Sequence, residues 1–142
     1  MIEHLAAMKP RIAGLRSTGS YAVHIGHADP TAQTLPYVII SAPGWASPDD
    51  LPLCGATTDL DAEVRVKVVA GNGDAVLTVL KLIRASLSPG LASSALTVSG
   101  RRARIKFVRS EFVAPDTSVT LPNGTHPTQG VDTYRITSQP TG

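Results

Sequence analysis

Arg101, Arg102, Arg104, Lys106 and Arg109 form the densest run of charge in the chain, and they alternate with Ala103, Ile105 and Phe107. On a strand that alternation gathers much of the charge on one face. Such a face attracts phosphates without sequence preference, or meets an acidic protein surface. Phe107 falls on the opposite face, so no aromatic platform for stacked bases accompanies the cations. A solvated face or a protein interface is therefore the favoured reading, with direct nucleic-acid contact behind it.

Other chemically capable residues are more scattered. His24, His27 and Asp29 have the donor types of a zinc or iron site. A further ligand would have to come from His4, Cys54 or His126, and the spacing specifies none. Asp49, Asp50, Asp59 and Asp61 could serve as acids, bases or magnesium ligands, yet they match no calcium loop and read as surface carboxylates in a polar turn region. Cys54 has no neighbouring histidine, and Ser17, Ser41 and Ser47 lack a nucleophile-elbow context. Gly71-Asn72-Gly73 lacks the lysine and hydroxyl residue of a phosphate loop and reads as a turn. No catalytic residue, metal or cofactor is assigned, and the chain is not expected to be an enzyme. Trp45, the one tryptophan, lies in a Pro/Gly-rich segment with Leu51 and Leu53. There it either anchors a partner or caps the core.

The elements that would position these residues are legible in part. In AEVRVKVVA, Val64, Val66 and Val68 fall on one face and Glu63, Arg65 and Lys67 on the other, the pattern of a sheet with one covered side. From Asp74 onward, Val76, Leu77, Leu80, Ile83, Arg84 and Leu87 recur at spacings of three and four, and the apolar members predict a helical stripe against that sheet. Pro89-Gly90 closes this helix. Ile2, Leu5, Ala6, Met8, Ile12 and Leu15 line an N-terminal helix that Pro10 either kinks or divides. Strands are expected at 21–25, 36–41 and 133–136, with a hairpin of 95–98 and 103–108 turning through Ser99, Gly100, Arg101 and Arg102. Residues 42–60 read as an irregular loop, and 114–130 as a flexible or extended arm or flap. The fold class is α+β: a mixed or mainly antiparallel sheet packed by an amphipathic helix, with a further helix at the N-terminus.

At 142 residues the chain has room for one domain of ordinary size. A formal charge of +2 is too small to imply nucleic-acid binding by itself. A single cysteine excludes an internal disulfide framework, which fits an intracellular setting. Neither a secretory leader nor a run of about 18 apolar residues is visible, so a soluble protein without membrane contact is expected.

The order of an initial helix, the strand PYVIIS, a loop with Cys54 and acidic residues, the strand AEVRVKVVA, the helix DAVLTVLKLIRASL and a group of short strands resembles the tail terminator proteins of long-tailed bacteriophages. The likeness covers most of residues 1–113 and is one of layout, with loose individual motifs. It implies a virion protein, assembled in the host cytoplasm as a homo-oligomeric ring, commonly a hexamer, at the head-proximal end of the tail. The ring stops polymerisation of the tail tube protein and presents a surface to the head-tail connector. On that reading Trp45, Leu51, Leu53, Arg65 and Lys67 are candidates for protein contact. Arg101, Arg102, Arg104, Lys106 and Arg109 would meet a partner or line a lumen in non-specific contact with DNA. Another head-to-tail completion protein, an accessory nucleic-acid binder, and a small enzyme with its site in 42–60 are the alternatives.

Overall fold

The computed structural model describes residues 2–29, 34–43 and 59–141. Helix α1 (Ile2–Ala13) leads to strands β1 (Ala22–Ile25), β2 (Tyr37–Ser41) and β3 (Leu60–Ala70), then helix α2 (Gly73–Leu87) and a 3-10 turn at Pro89–Leu91. Strands β4 (Ser94–Val98), β5 (Arg101–Ser110), β6 (Ala114–Pro115) and β7 (Thr128–Pro140) complete the chain. The strands lie in the order β1-β2-β3-β7-β5-β4, with β6 added to β7. Only β1 and β2 run parallel. The result is the expected α+β class: a curled, mostly antiparallel mixed sheet, a half-barrel packed against two helices. Helix α1 touches both β1 and β4, the two ends of the strand order, and so closes the open side of the curl.

Strict alternation builds the centre. Leu60, Ala62, Val64, Val66 and Val68 of β3 are buried against the helices, while Asp61, Glu63 and Arg65 are exposed on the other face. Helix α2 begins where the Asn72 side chain accepts the Ala75 N–H at 2.9 Å, which satisfies one of the free donors of the first turn. Its sheet-facing stripe is Val76, Val79, Leu80, Ile83 and Leu87. The expected stripe is corrected at one position: Leu77 is 55% exposed, because a step of roughly 100° per residue carries it a quarter-turn away from Val76. Where α2 crosses β7 the strand has Gly130, and a Cβ there would stand 2.7 Å from Val76 Cγ1 and 2.9 Å from Leu80 Cδ1.

Several boundaries move from their expected places. The last strand spans Thr128–Pro140 rather than 133–136, and β3 pairs with it from Leu60↔Ser138 to Ala70↔Thr128. Arg101 and Arg102 open β5 instead of sitting in the hairpin turn, which needs only Ser99 and Gly100, the glycine at φ 72°. Residues 115–127 fold back as a flap. Asp116 N–H bonds Pro127 C=O at 2.8 Å, and the flap lines a hollow with Ala28, Tyr37 and Val69, a small apolar cluster on the helix-free face. Helix α1 continues through Pro10, burying Leu5, Met8 and Ile12 and leaving Ile2 and Ala6 exposed.

The core also holds polar groups that periodicity does not announce. His4 is fully buried and its Nε2 lies 2.9 Å from Ser138 Oγ, which also accepts Arg101 Nε at 2.6 Å. Under α2, the buried Asp132 accepts Arg84 Nη2 at 2.8 Å, and the Arg84 guanidinium stacks 4.5 Å over the Phe107 ring. Burial pushes the His4 imidazole down to about 4, and the nearby Arg101 charge acts in the same sense.

Two outcomes follow from this packing. Gly130→Ala forces Val76 and Leu80 apart and destabilises the fold by about 1–3 kcal/mol in urea unfolding; an unchanged midpoint would show that α2 tolerates a looser seat. His4 titrates lower in the folded chain than the ordinary imidazole, so its contribution is complete above pH ~6.5 and is lost as the pH falls toward 4. Wild type therefore loses up to about 3 kcal/mol across that window. His4→Gln flattens this part of the stability profile, and a variant with the wild-type slope would assign the loss to other groups.

Candidate functional site

One face of the sheet carries the helices, and the other collects most of the charge. Because β3 and β5 flank β7 on either side, cations far apart in sequence become neighbours. Arg65 and Arg109 stand on either side of Thr133, Lys106 stands opposite Arg135, and Arg104 lies across Thr137 from Asp61. A break in register between Phe107 and Arg109 inserts Val108 as an extra residue. This bulge keeps Arg109 on the same face as Arg104 and Lys106 although its parity in sequence differs. Arg65, Lys67, Arg102, Arg104, Lys106, Arg109 and Arg135 together place seven of the chain's thirteen basic residues on the helix-free face.

Diagonal ion pairs neutralise part of it. Arg109 donates to both oxygens of Glu63, at 3.3 and 3.1 Å. Arg135 grips Asp61 in the same two-pronged way, with Nε–Oδ1 at 2.6 Å. The Arg135 hydrogen bond holds the Asp61 carboxyl below the usual carboxylate range, and Asp61 in turn raises Arg135. Both pairs are half-exposed, so they organise the surface more than they stabilise the fold. Arg104 bonds the hydroxyl and carbonyl of Ser93, and Lys67 lies close enough to Asp116 to help lower that carboxyl, after the Ser118 hydroxyl that dominates its shift. Among the described residues, Arg65, Arg102 and Lys106 are in no ion pair. Where β3 and β5 begin and β7 ends, the face sinks into a recess of about 470 Å³ beside Asp59, Asp61, Arg102, Arg104, Thr137 and Gln139.

The structure thus brings Arg65 and Lys67 together with Arg102, Arg104, Lys106 and Arg109, groups that the sequence left as two separate candidates. Arg101 leaves the set. It is half-buried on the helix side of β5, bonded to Ser138, because residues 101 and 102 of one strand face opposite ways. Trp45, Leu51 and Leu53 lie outside the described residues. Arg135 is the residue sequence reasoning missed; its signal was the alternation of Thr133, Arg135, Thr137 and Gln139 in a strand judged too short. Among the described residues no group of three or more His, Cys, Asp or Glu side chains could hold a metal ion, and no helix is long and apolar enough to cross a membrane.

The cations without a carboxylate partner are surplus to folding. Changing Arg102 and Lys106 together to Ser shifts stability by less than about 0.5 kcal/mol, since both are exposed and Lys106 opposes a like charge in Arg135. A larger loss in urea unfolding would reveal a structural role for the pair. No protein-family model matches the chain, and comparison with curated proteins gives no match.

Proposed function

We propose that this chain is a structural subunit of a long-tailed phage virion. It assembles as a ring, a hexamer by resemblance, at the head-proximal end of the tail, where it terminates the tail tube and offers the joining surface to the head-tail connector. The observation that supports this reading best is the division of the sheet: one face completes its core with the chain's own two helices, and the other keeps Arg65, Arg102 and Lys106 without carboxylate partners. A surface that folding does not consume is available to a partner. The resemblance to tail terminators rests on the order of an initial helix, the strand PYVIIS, the strand AEVRVKVVA and the helix DAVLTVLKLIRASL, which correspond to α1, β2, β3 and α2. The strands that follow are longer than that layout expects, with β7 at 13 residues. In this reading the work is steric and interfacial, with binding free energy from buried apolar surface and charge complementarity and no covalent step. A closed ring joins one patch of each subunit to a different patch of the next.

The same three cations favour a second reading, a nucleic-acid contact made through phosphates, either in the ring lumen or by an accessory binder. Light scattering followed by electron microscopy with purified tail tubes separates the two. The ring reading expects stoichiometric particles on tube ends and tubes that no longer elongate. Tubes left uncapped by a protein that binds duplex DNA, with affinity falling steeply as salt rises, would overturn it in favour of the second.

A further inference from the structure

Phe112 is the most anomalous residue on the surface: it is 100% exposed. It sits where the chain leaves β5 and turns toward β6, beside the first turn of α2, with Val113 in contact with the Gly73 position. Leu77, 55% exposed, lies three residues beyond Asp74 on that helix, and the acidic residues of this corner, Asp74 and Glu111, are exposed and in no ion pair among the described residues. An isolated exposed leucine is ordinary, but a wholly solvated phenylalanine flanked by two free carboxylates has the composition of an interface anchor.

The complementary feature lies at the other end of β5. The recess of about 470 Å³ has Asp59, Leu60 and Asp61 along one side and Arg102 and Arg104 along the other; Asp61 is held by Arg135, and Arg102 is in no ion pair among the described residues. An aromatic ring fits a hollow of this size, and while Arg104 is held by Ser93, the Arg102 guanidinium suits both the face of the ring and a flanking carboxylate. Glu111 and Arg102 are nine positions apart along the strand, roughly 30 Å at ~3.3 Å per residue. The two features of one chain cannot meet each other, but those of two chains can.

We infer that Phe112, flanked by Asp74 and Glu111, seats in the Arg102–Arg104 recess of a second copy of this chain, head to tail. The contact is heterologous, since knob and recess are different patches, and it repeats from copy to copy until the rotation closes. It deepens the ring reading and rests on it only for the premise that copies join one another.

The test uses full-length protein, with Phe112→Ser breaking the knob and Arg102→Glu the recess. Both positions are exposed, and thermal melts coincident with wild type confirm intact folding. In light scattering wild type forms an oligomer, and each variant associates roughly thirtyfold more weakly. Mixing the two variants gives a dimer that grows no further, because one supplies the only intact knob and the other the only intact recess. A wild-type protein that stays monomeric at millimolar concentration overturns the contact. So do variants that keep the wild-type mass, or a mixture that yields no dimer. The ring reading is decided separately, by tube capping: a monomer that caps tubes removes the contact and keeps the ring, whereas an oligomer lost in Phe112→Ser that caps nothing keeps the contact and removes the ring.

Discussion

The architecture depends on the backbone of β7. Thirteen consecutive residues present amide and carbonyl groups along both edges, and groups that are buried have to be paired. Strand β3 pairs with one edge along nearly its whole length, while β5 and then β6 share the other. Once those partners are in place, alternation assigns each β7 side chain to the core or to the helix-free face. Gly130, Asp132, Tyr134, Ile136 and Ser138 go in; Thr133, Arg135, Thr137 and Gln139 go out. The cationic face is therefore a consequence of β7 pairing, because only β7 brings the charges of β3 and β5 within reach of one another.

The inward side of β7 is unusually polar for a central strand; most of its polar groups have a partner or a steric reason, while Tyr134 Oη and Asp132 Oδ1 are buried without a hydrogen bond among the described residues. Gly130 gives α2 room to approach, Asp132 is held by Arg84, and Ser138 Oγ accepts from Arg101 and hydrogen-bonds the His4 ring. Tyr134, fully buried, meets the Phe107 ring edge-on at 5.8 Å. Burial and the Asp132 charge both raise its phenol above the ordinary range. These contacts tie the helices to one strand at two levels, Asp132 beneath α2 and Ser138 beneath α1. Buried polar contacts of this kind discriminate between registers more than apolar packing does, since a one-residue slip would strand a charge.

The same polarity explains what the sequence revealed and what it concealed. Val64, Val66 and Val68 alternate without a break, and Val76, Leu80, Ile83 and Leu87 keep one helical face, so β3 and α2 were legible from pattern alone. In β7, Gly130, Asp132 and Ser138 occupy inward positions where a reader expects apolar residues, and the strand shrank on paper to Thr133–Ile136. The bulge at Val108 concealed which face Arg109 takes, and a two-residue turn moved Arg101 to the core side. Six of the seven cations on the face, all but Arg135, could be drawn from β3 and β5 separately. Their meeting could not, because strand order is a long-range property that no local pattern encodes.

The edges of the half-barrel limit how copies of the chain can join. An unpaired edge strand invites further strands, and folds that must not aggregate block it. Here Arg11 of α1 donates to the Ala95 carbonyl of β4 at 2.8 Å, and Ser88 Oγ receives the Phe107 N–H of β5 at 3.0 Å just where β4 has ended. At the other end of the sheet α1 packs on β1. The β4 rim is thus met by a side chain at Ala95, the β5 rim by Ser88 at Phe107, and α1 packs beside β1. Strand addition, which has no intrinsic stopping point, is hindered at those points, and the proposed head-to-tail contact relies on side-chain patches instead. Patches of that kind set a definite rotation from one copy to the next, and a definite rotation is the condition for a ring to close instead of growing as a filament.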